Sequence, residues 1–386
     1  MTQPHERLVT LFNVGSLTFG RGAAERCPAD LMDRGASSIF IVTSPPTRRL
    51  CEPLIASIEE RGGKPVLWDD LHGEPTFGDF EYALGTARSA GAQAVIGLGG
   101  GSSLDVAKLV AALFDGAQTI GEVIGSDRLR ARALPLACIP TTAGTGSEVT
   151  PIAILGDEEE DLKKGVVSRY LTPDAAYLDP LMTVTMPPAV TAATGFDALT
   201  HCIEAYANKF AHPIADTFAL AGISLIANNI ERACRHGDDL EAREAMLLAS
   251  LYGGLCLGPV NTAAVHALAY PLGGEFHIAH GVANALLLPH VLRFNLETEP
   301  ARYAAIARAL GAREADDDPA TARRGIEKIV ELAERCNIEQ HMSAFGIGED
   351  AVPRMAKAAM TVTRLLERNP RPLTEADVIG IYQAAL

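Results

Sequence analysis

The stretch that decides the predicted fold is Gly195-Phe196-Asp197-Ala198-Leu199-Thr200-His201. Its apolar residues have helical spacing, so Asp197 and His201, four positions apart, project from the same face of a helix. Two further histidines, His266 and His280, lie in a later apolar stretch that glycines interrupt. A carboxylate and three imidazoles suit a divalent first-row metal such as iron or zinc, so these four residues form a candidate metal site.

Each of the four residues also has an ordinary structural interpretation. Asp197 could cap a helix or form a local ion pair, and a histidine in an apolar stretch is often a core residue. For any one of them alone, that interpretation is the more common one. Their joint occurrence, together with the glycine-rich motifs described below, favours the metal site.

Length, composition and charge limit the classes of protein to which the chain can belong. Its 386 residues suffice for two domains, and 48% of them are hydrophobic, which indicates a globular protein. Gly, Pro or charged residues break the apolar runs before membrane-spanning length, and the N-terminus lacks the features of a secretory signal. Seven scattered cysteines without a C-x-x-C pair suit reduced thiols. We therefore expect a cytoplasmic protein without a membrane partner, and the net charge of -15 argues against a nucleic-acid partner.

The two halves of the chain differ in their hydrophobic pattern. In the first half, β-rich runs alternate with helical stretches, which predicts a parallel sheet of the dinucleotide-binding type. The clearest of these runs are 37–43, 64–68 and 94–98. After about residue 185, helical periodicity dominates. The predicted helices of this half lie near 190–208, 213–235, 240–257, 281–296, 300–310 and 319–336. We therefore predict an α/β domain at 1–185 and an all-helical domain at 186–386.

A glycine-rich loop follows the predicted strand that ends at Leu98. Gly99-Gly100-Gly101-Ser102 precedes a helix that begins near Ser103, where backbone N–H groups and the helix N-terminus can bind a pyrophosphate. A plain glycine turn with Ser102 as the N-cap is the alternative. A second loop, from Pro140 to Glu148, contains hydroxyl residues and glycines that can bind a ribose or phosphate. Its alternative interpretation is a polar loop of no particular role.

Taken together, these motifs resemble those of the iron-containing (group III) alcohol dehydrogenases. The resemblance extends from the segment around Gly15 to about Asn295, and the order of the motifs makes it specific. The motifs are Gly99-Gly100-Gly101-Ser102 with Asp105 and Lys108, Pro140 to Glu148, Gly195 to His201, His266-Ala267-Leu268-Ala269, and His280 to Pro289.

The resemblance implies the dehydroquinate synthase-like fold, in which an α/β NAD(P)-binding domain precedes an all-α metal-binding domain. It implies an oxidoreductase that interconverts a small alcohol and its aldehyde or ketone by hydride transfer, with NAD or NADP as cofactor, and homodimers are common in the family. Fe²⁺, or alternatively Zn²⁺ or another divalent metal, would be bound by Asp197, His201, His266 and His280. The implied cofactor-binding residues are Ser44, Gly99, Gly100, Gly101, Ser102, Asp105, Thr141, Thr142, Thr145 and Lys163.

One departure from the family pattern concerns proton transfer. Many relatives have a histidine near the metal where this chain has Tyr270. The ordinary pKa of a tyrosine, about 10, suits proton transfer at neutral pH less well. We therefore predict that His277, three residues before His280, takes part in the proton path, with Tyr270 as the other candidate. Core packing of Tyr270 is the structural alternative.

A second departure concerns the choice between NAD and NADP. NAD-preferring relatives often have an Asp just after the first strand, where it binds the ribose 2′-hydroxyl and repels a 2′-phosphate. This chain has Thr43-Ser44-Pro45-Pro46-Thr47-Arg48-Arg49 there, so the repulsion is absent and Arg48 or Arg49 could contact a phosphate. We predict that NADP(H) is accepted. Two solvent-facing arginines are the alternative.

Other activities of the same fold remain as alternatives. Maleylacetate reductase acts without a metal, which the four intact ligand positions argue against. Hydroxyacid-oxoacid transhydrogenase is compatible with the pair Tyr270-Pro271. A dehydroquinate synthase-like lyase is the alternative from another reaction class, and a metal- or nucleotide-binding protein without catalysis is the alternative that is not an enzyme.

Overall fold

The structure, a computed structural model, describes residues 7–158 and 162–386. Two compact units divide this part of the chain. Phe12–Thr142 and Gly146–Thr185 form one, which we call the α/β unit. Ala143–Thr145, Met186–Leu386 and the segment that ends at Leu11 form the other, which we call the helical unit. Residues 1–6, which contain most of the N-terminal segment considered above for a secretory signal, lie outside the described residues.

The α/β unit alternates short strands with helices. Its strands are β1 (Ser16–Phe19), β2 (Ser38–Val42), β3 (Lys64–Trp68), β4 (Ala94–Gly99), β5 (Gly125–Ser126), β6 (Leu136–Pro140), β7 (Ile152–Asp157), β8 (Leu162–Val167) and β9 (Ala175–Leu178). Its helices are α1 (Cys27–Met32), α2 (Glu52–Glu60), α3 (Phe77–Ala90), α4 (Gly101–Leu113) and α5 (Ile120–Val123). Six strands form one sheet in the order β1-β9-β6-β4-β2-β3, and every pair in it is parallel.

Strand β2 shows why these residues build a parallel sheet. All five of its residues are buried. Phe40 and Val42 belong to the core on one face of the sheet, while Ile39 and Ile41 belong to the core on the other. A strand covered on both faces reads as a continuous apolar run, which is the pattern that predicted it. The predicted α/β fold is confirmed. A second sheet, of order β5-β8-β7, contains the antiparallel pair β7 and β8, which the sequence analysis did not predict.

The helical unit is built from the second half of the chain. Its helices are α6 (Pro188–Tyr206), α7 (Pro213–Arg235), α8 (Leu240–Leu257), α9 (Ala264–Phe276), α10 (His280–Asn295), α11 (Pro300–Ala309), α12 (Asp318–Arg335), α13 (Val352–Met360), α14 (Thr363–Leu366) and α15 (Glu375–Ala385). The six predicted helices correspond to α6, α7, α8, α10, α11 and α12, with ends that differ by at most two residues. Helix α9 was not among them, because Pro271 lies inside it and prolines usually end helices.

Helix α7 is long and apolar enough, by length and composition alone, to cross a membrane. In the helical unit it packs against α6 and α8. Ile223, Ile226 and Ile230 lie on its inner face and are fully buried in the core that the helices share. The inner face of α7 therefore belongs to the core of the helical unit.

Candidate functional site

Helix α6 carries the first two predicted ligands. It begins at Pro188, a residue whose fixed φ suits the first helical position, and everything from Gly195 to Tyr206 is buried. Asp197 and His201 are one turn apart, with 3.7 Å between Oδ1 and Nε2. A Cβ atom at Gly195 would lie 2.8 Å from side-chain atoms of both Ile230 and Met246, so the glycine lets α7 and α8 approach α6 closely.

The other two predicted ligands come from two different helices. His266 is in the first turn of α9, and His280 is the first residue of α10. The Nε2 atom of each lies 3.6 Å from Oδ1 of Asp197. The rings of His201 and His266 stack with centroids 4.8 Å apart, and the side chain of His280 is 31% exposed. The structure therefore brings all four predicted residues around one carboxylate oxygen.

The arrangement of these donor atoms fits a cation. Three imidazole nitrogens and a carboxylate oxygen, all potential lone-pair donors, point towards a common centre. The Asn284 amide nitrogen, a hydrogen-bond donor, contacts three of these four atoms. It lies 2.8 Å from Oδ1 of Asp197 and 3.3 Å from Nε2 of both His266 and His280. The ligand atoms of Asp197, His201 and His266 lie within 4.8 Å of one another. Such a buried set of one oxygen and up to three nitrogens suits a borderline divalent metal.

Hydrogen bonds at the opposite ring nitrogens turn two of the imidazoles towards this centre. Nδ1 of His201 lies 3.3 Å from the carbonyl oxygen of Gly144, and Nδ1 of His266 lies 2.6 Å from Oε2 of Glu204. A ring that donates from Nδ1 presents the Nε2 lone pair. Glu204, Gly144 and Asn284 are absent from the sequence prediction. Glu204 could have been found, because it lies three residues after His201 on the same helical face.

The buried groups influence one another's protonation. Burial disfavours the charge on Asp197, but the three imidazoles outweigh burial and hold the pKa of its carboxyl well below the usual range. Burial lowers the pKa of His201, and the charge of Asp197 acts in the opposite direction. Burial also acts against a charged His266, but hydrogen bonds with Asp197 and Glu204 outweigh it and raise the pKa of His266 to about 9. A metal bound by His266 therefore replaces a proton.

The two residues predicted to handle the proton differ in their surroundings. The ring of Tyr270 lies beside His280, with centroids 6.4 Å apart, and burial raises the pKa of its hydroxyl. His277 ends α9 as an exposed residue with a φ of 54°, in the left-handed region. Tyr270 thus lies in ring contact with a predicted ligand, whereas the side chain of His277 faces solvent.

The glycine-rich loop joins β4 to α4 in the α/β unit. Helix α4 begins at Gly101 and not near Ser103, so Ser102 lies inside its first turn and is not the N-cap. Within the described residues, no side chain caps this helix. A Cβ atom at Gly99 would lie 2.5 Å from Oγ of Ser103, so only glycine fits there. The N–H group of Thr141 donates to the carbonyl of Gly99 over 2.9 Å, which keeps the two predicted nucleotide loops side by side.

The remaining predicted cofactor residues have protein partners or lie near the loops. Asp105 accepts hydrogen bonds from the Ser147 hydroxyl (2.6 Å) and the N–H of Ile154 (3.0 Å), and it lies beside the fully buried Lys108. The ammonium group of Lys163 pairs with Glu74 at 2.7 Å. Thr142 lies next to Gly100, Ser44 contacts the Thr47 hydroxyl at 3.0 Å, and Thr145 is a half-buried residue of the helical unit.

The segment after β2 contains the two arginines considered for a 2′-phosphate. Arg48 donates to Oδ2 of Asp69 over 2.5 Å, and Asp69 directly follows β3. Arg49 is exposed. An acidic residue is therefore present beside this segment after all, supplied by the neighbouring strand, and the sequence analysis missed it because the two residues are 21 positions apart.

Family models match most of the chain. The model of the Fe-containing alcohol dehydrogenase family, C-terminal, matches residues 191–386, and the model of iron-containing alcohol dehydrogenase matches residues 15–180. The chain is 39% identical over 372 residues to long-chain-alcohol dehydrogenase 1 of Geobacillus thermodenitrificans, covering 95% of this chain and 94% of that protein. The C-terminal match continues beyond Asn295, where the resemblance found in the sequence analysis ended.

Solved structures agree with these matches. A 1,3-propanediol oxidoreductase superposes with a TM-score of 0.95 at 32% identity, covering 98% of this chain and all of the other. A sulfoacetaldehyde reductase from Bifidobacterium kashiwanohense in complex with NAD⁺ superposes with a TM-score of 0.88 at 27% identity, covering 98% and 99%. The chain therefore belongs to the iron-containing alcohol dehydrogenase family, and it is an oxidoreductase that interconverts an alcohol and an aldehyde with a nicotinamide cofactor.

Proposed function

We propose that this enzyme binds one Fe²⁺, or alternatively Zn²⁺ or another divalent metal, through Asp197, His201, His266 and His280, and acts on a small alcohol or aldehyde. The observation that carries the proposal is the convergence of three Nε2 atoms within 3.7 Å of one buried carboxylate oxygen. When bound, the metal supplies a Lewis acid that polarises the substrate oxygen, while the nicotinamide carries the hydride.

The protein groups have separate tasks in this proposal. Asp197 supplies a negative charge, which three neighbouring imidazoles keep ionised. Gly144 and Glu204 orient two of the rings. Burial of Asp197, His201 and His266 keeps water away from the polar contacts and strengthens them. The four intact donor groups also favour a metal-dependent enzyme over the metal-free reductases of the same fold.

Metal analysis tests this proposal. Elemental analysis of gently purified protein should find about one first-row metal ion per chain, in keeping with a four-ligand site. Strong chelation should remove most of the activity with a panel of small alcohols, and added Fe²⁺ or Zn²⁺ should restore it. Full activity after complete removal of the metal would contradict the proposal and favour a metal-free reductase.

For the nicotinamide cofactor, we propose that the pyrophosphate binds at Gly99, Gly100, Gly101 and Ser102. Support comes from the glycine-only position at Gly99 and from the free N–H groups expected in the uncapped first turn of α4. Thr141, Thr142 and Thr145 would line the nucleotide, Lys163 would contact the ribose on the nicotinamide side, and Ser44 would also bind the cofactor. Asp105 would act indirectly, because its carboxylate holds the second loop through Ser147.

We also propose that NADP(H) is accepted as well as NAD(H). The exposed Arg49 is the guanidinium available for a 2′-phosphate, since Arg48 pairs with Asp69. The kcat/KM for NADPH should lie within about tenfold of that for NADH. Arg49→Ala should lower only the NADPH value by about tenfold, the equivalent of one charge-assisted hydrogen bond of about 1.5 kcal/mol. Arg61→Ala, at another exposed arginine of this unit, is the control and should leave both values unchanged. A kcat/KM of the wild-type enzyme for NADH more than about a hundredfold above that for NADPH would refute the proposal.

For proton transfer, we propose that His277 is the residue that exchanges a proton with solvent. Its replacement should lower kcat by about a hundredfold and change the pH profile of kcat. This factor is at the smaller end of general acid–base effects, because the side chain of His277 is exposed. Asparagine is the suitable substitute, since it tolerates the left-handed φ of 54° at this position. His236→Asn at the exposed end of α7 is the control. An unchanged turnover and pH profile would shift the role to Tyr270.

We propose finally that the enzyme works in the cytoplasm as a homodimer. The seven cysteines are free and buried, as suits reduced thiols, and Leu17 on the edge strand β1 is 40% exposed. Light scattering tests the dimer, for which a mass near twice the 40.8 kDa of one chain is expected.

A further inference from the structure

We propose that Glu204 is a positioning residue of the metal centre: it fixes the tautomer and orientation of His266 and thereby determines how tightly the metal is held. The inference rests on the metal site proposed above and adds to it a residue that contacts a ligand and not the metal. Glu204 lies on α6, seven residues after Asp197 and three after His201. One helix therefore supplies two ligands together with the carboxylate that orients a third.

The carboxylate of Glu204 is almost completely buried and fully hydrogen-bonded. It is 4% exposed. Its Oε2 atom accepts from Nδ1 of His266 over 2.6 Å and from the N–H group of Ala263 over 3.0 Å. Its Oε1 atom accepts from the N–H group of Val265 over 2.6 Å. Both oxygens of this buried carboxylate therefore already have a hydrogen-bond donor from the protein.

These contacts determine which nitrogen of His266 faces the metal centre. Both carboxylate oxygens of Glu204 accept a main-chain N–H group, so the hydrogen bond of 2.6 Å between Oε2 and Nδ1 of His266 is donated by the ring nitrogen. The lone pair is then on Nε2, which lies 3.6 Å from Oδ1 of Asp197. Outer partners of this kind hold the ring orientation and make the ligand nitrogen more basic.

The same carboxylate also fixes the helix that carries His266. Ala263 is the N-cap of α9 and Val265 is in its first turn, so both N–H groups would otherwise be unsatisfied. Glu204 caps α9 from α6 and holds the start of this helix against the metal-binding face. The position of His266 is therefore set twice, by the helix cap and by the bond at Nδ1.

Glu204→Gln changes this arrangement with little change in shape. If the amide nitrogen faces His266, it donates to Nδ1 and moves the ring hydrogen to Nε2, which can then no longer bind a metal. If the amide is turned the other way, its N–H₂ group opposes the N–H group of Val265. In both cases we expect the dissociation constant for Zn²⁺ to rise by about 10- to 100-fold, the usual effect of losing an outer partner of a ligand.

The experiment measures Zn²⁺ dissociation constants by competition with a chelating dye, a readout that does not depend on activity. Asp317→Asn is the matched control, because Asp317 caps α12 through the N–H group of Ala320. This variant makes the same carboxylate-to-amide change at a helix cap away from the site, and asparagine caps about as well as aspartate, so its Zn²⁺ affinity should stay within about twofold of wild type. If circular dichroism shows that Glu204→Gln is unfolded, Glu204→Asp is used instead, because its shorter side chain withdraws the carboxylate from His266. The same rise in the dissociation constant for Zn²⁺ is expected.

A double-mutant cycle separates positioning from general structural damage. In a His266→Ala background no imidazole is left to orient, so Glu204→Gln should change Zn²⁺ affinity by less than about twofold. An equal loss in both backgrounds would overturn the inference, as would unchanged Zn²⁺ affinity in Glu204→Gln alone. Failure of the wild-type enzyme to bind Zn²⁺ or Fe²⁺ would instead overturn the metal site itself, which is a distinguishable result.

Discussion

Asp197→Asn is expected to abolish stoichiometric metal binding and to lower kcat by about a thousandfold or more. The three imidazole nitrogens lie 3.6–3.7 Å from Oδ1 of Asp197, so this oxygen is the common partner of the whole cluster. An amide keeps the shape but removes the negative charge, and loss of several kcal/mol of metal-dependent stabilisation corresponds to about three powers of ten in rate. Metal content and steady-state kinetics on the same preparation measure both effects.

The control for this variant is Asp377→Asn. Asp377 accepts a hydrogen bond from the N–H group of Thr374, the N-cap of α15. Its replacement makes the same change of charge in the same unit, without contact to a predicted ligand. It should retain its metal and more than half of its activity, because the amide oxygen can still accept the hydrogen bond from the N–H group of Thr374. Near-normal kcat in Asp197→Asn, with the metal retained, would refute the assigned role of Asp197.

Gly281→Ala is expected to be the most destabilising single-methyl substitution near the site. A Cβ atom at this position would lie 2.0 Å from the carbonyl oxygen of Ala193 on α6, far inside van der Waals contact. Since the obstacle is backbone, the start of α10 must move, and His280 with it. We expect the free energy of unfolding to fall by about 3 kcal/mol, the upper end of overpacking effects, and metal affinity to fall as well. Chemical denaturation and Zn²⁺ titration measure the two.

Gly274→Ala provides the opposite expectation for the same chemical change. This glycine lies in α9, where an added Cβ atom has no neighbour among the described residues within 4 Å. Alanine in a helix loses less conformational freedom on folding, so the variant should be about 0.5–1 kcal/mol more stable. Equal stability changes in the two variants would show that the close contact at Gly281 does not limit the packing of α10 on α6.

The spacing of residues allowed part of the site to be predicted. Asp197 and His201 share a helical face by sequence spacing alone, and the resemblance to the family added His266 and His280. Asn284 follows His280 by four residues, so the same spacing rule could have found it. The contact of His201 with the carbonyl of Gly144 could not be foreseen, because a main-chain oxygen leaves no trace in residue type.

Elements with local patterns were easier to predict than those created by packing. The buried run in β2 and the periodic helices α7 and α12 have strong local signals, and the structure has them within one residue of the predicted positions. Helix α9 continues through Pro271 because tertiary contacts, including the Glu204 cap, outweigh the local preference. Strand β8 contains Lys163, Lys164 and Gly165, and composition alone does not indicate its antiparallel pairing with β7.

The concentration of functional groups on α6 restricts how this gene can vary by insertion and deletion. Asp197, His201 and Glu204 lie within two turns of one helix. Deleting a single codon between Gly195 and Asp197 would rotate the preceding part of the helix by about 100° relative to these groups. Either the Gly195 contact or the metal-binding face would then be out of register. In lineages that retain the activity, length changes should therefore be absent from α6 and accumulate in loops such as the one between α11 and α12.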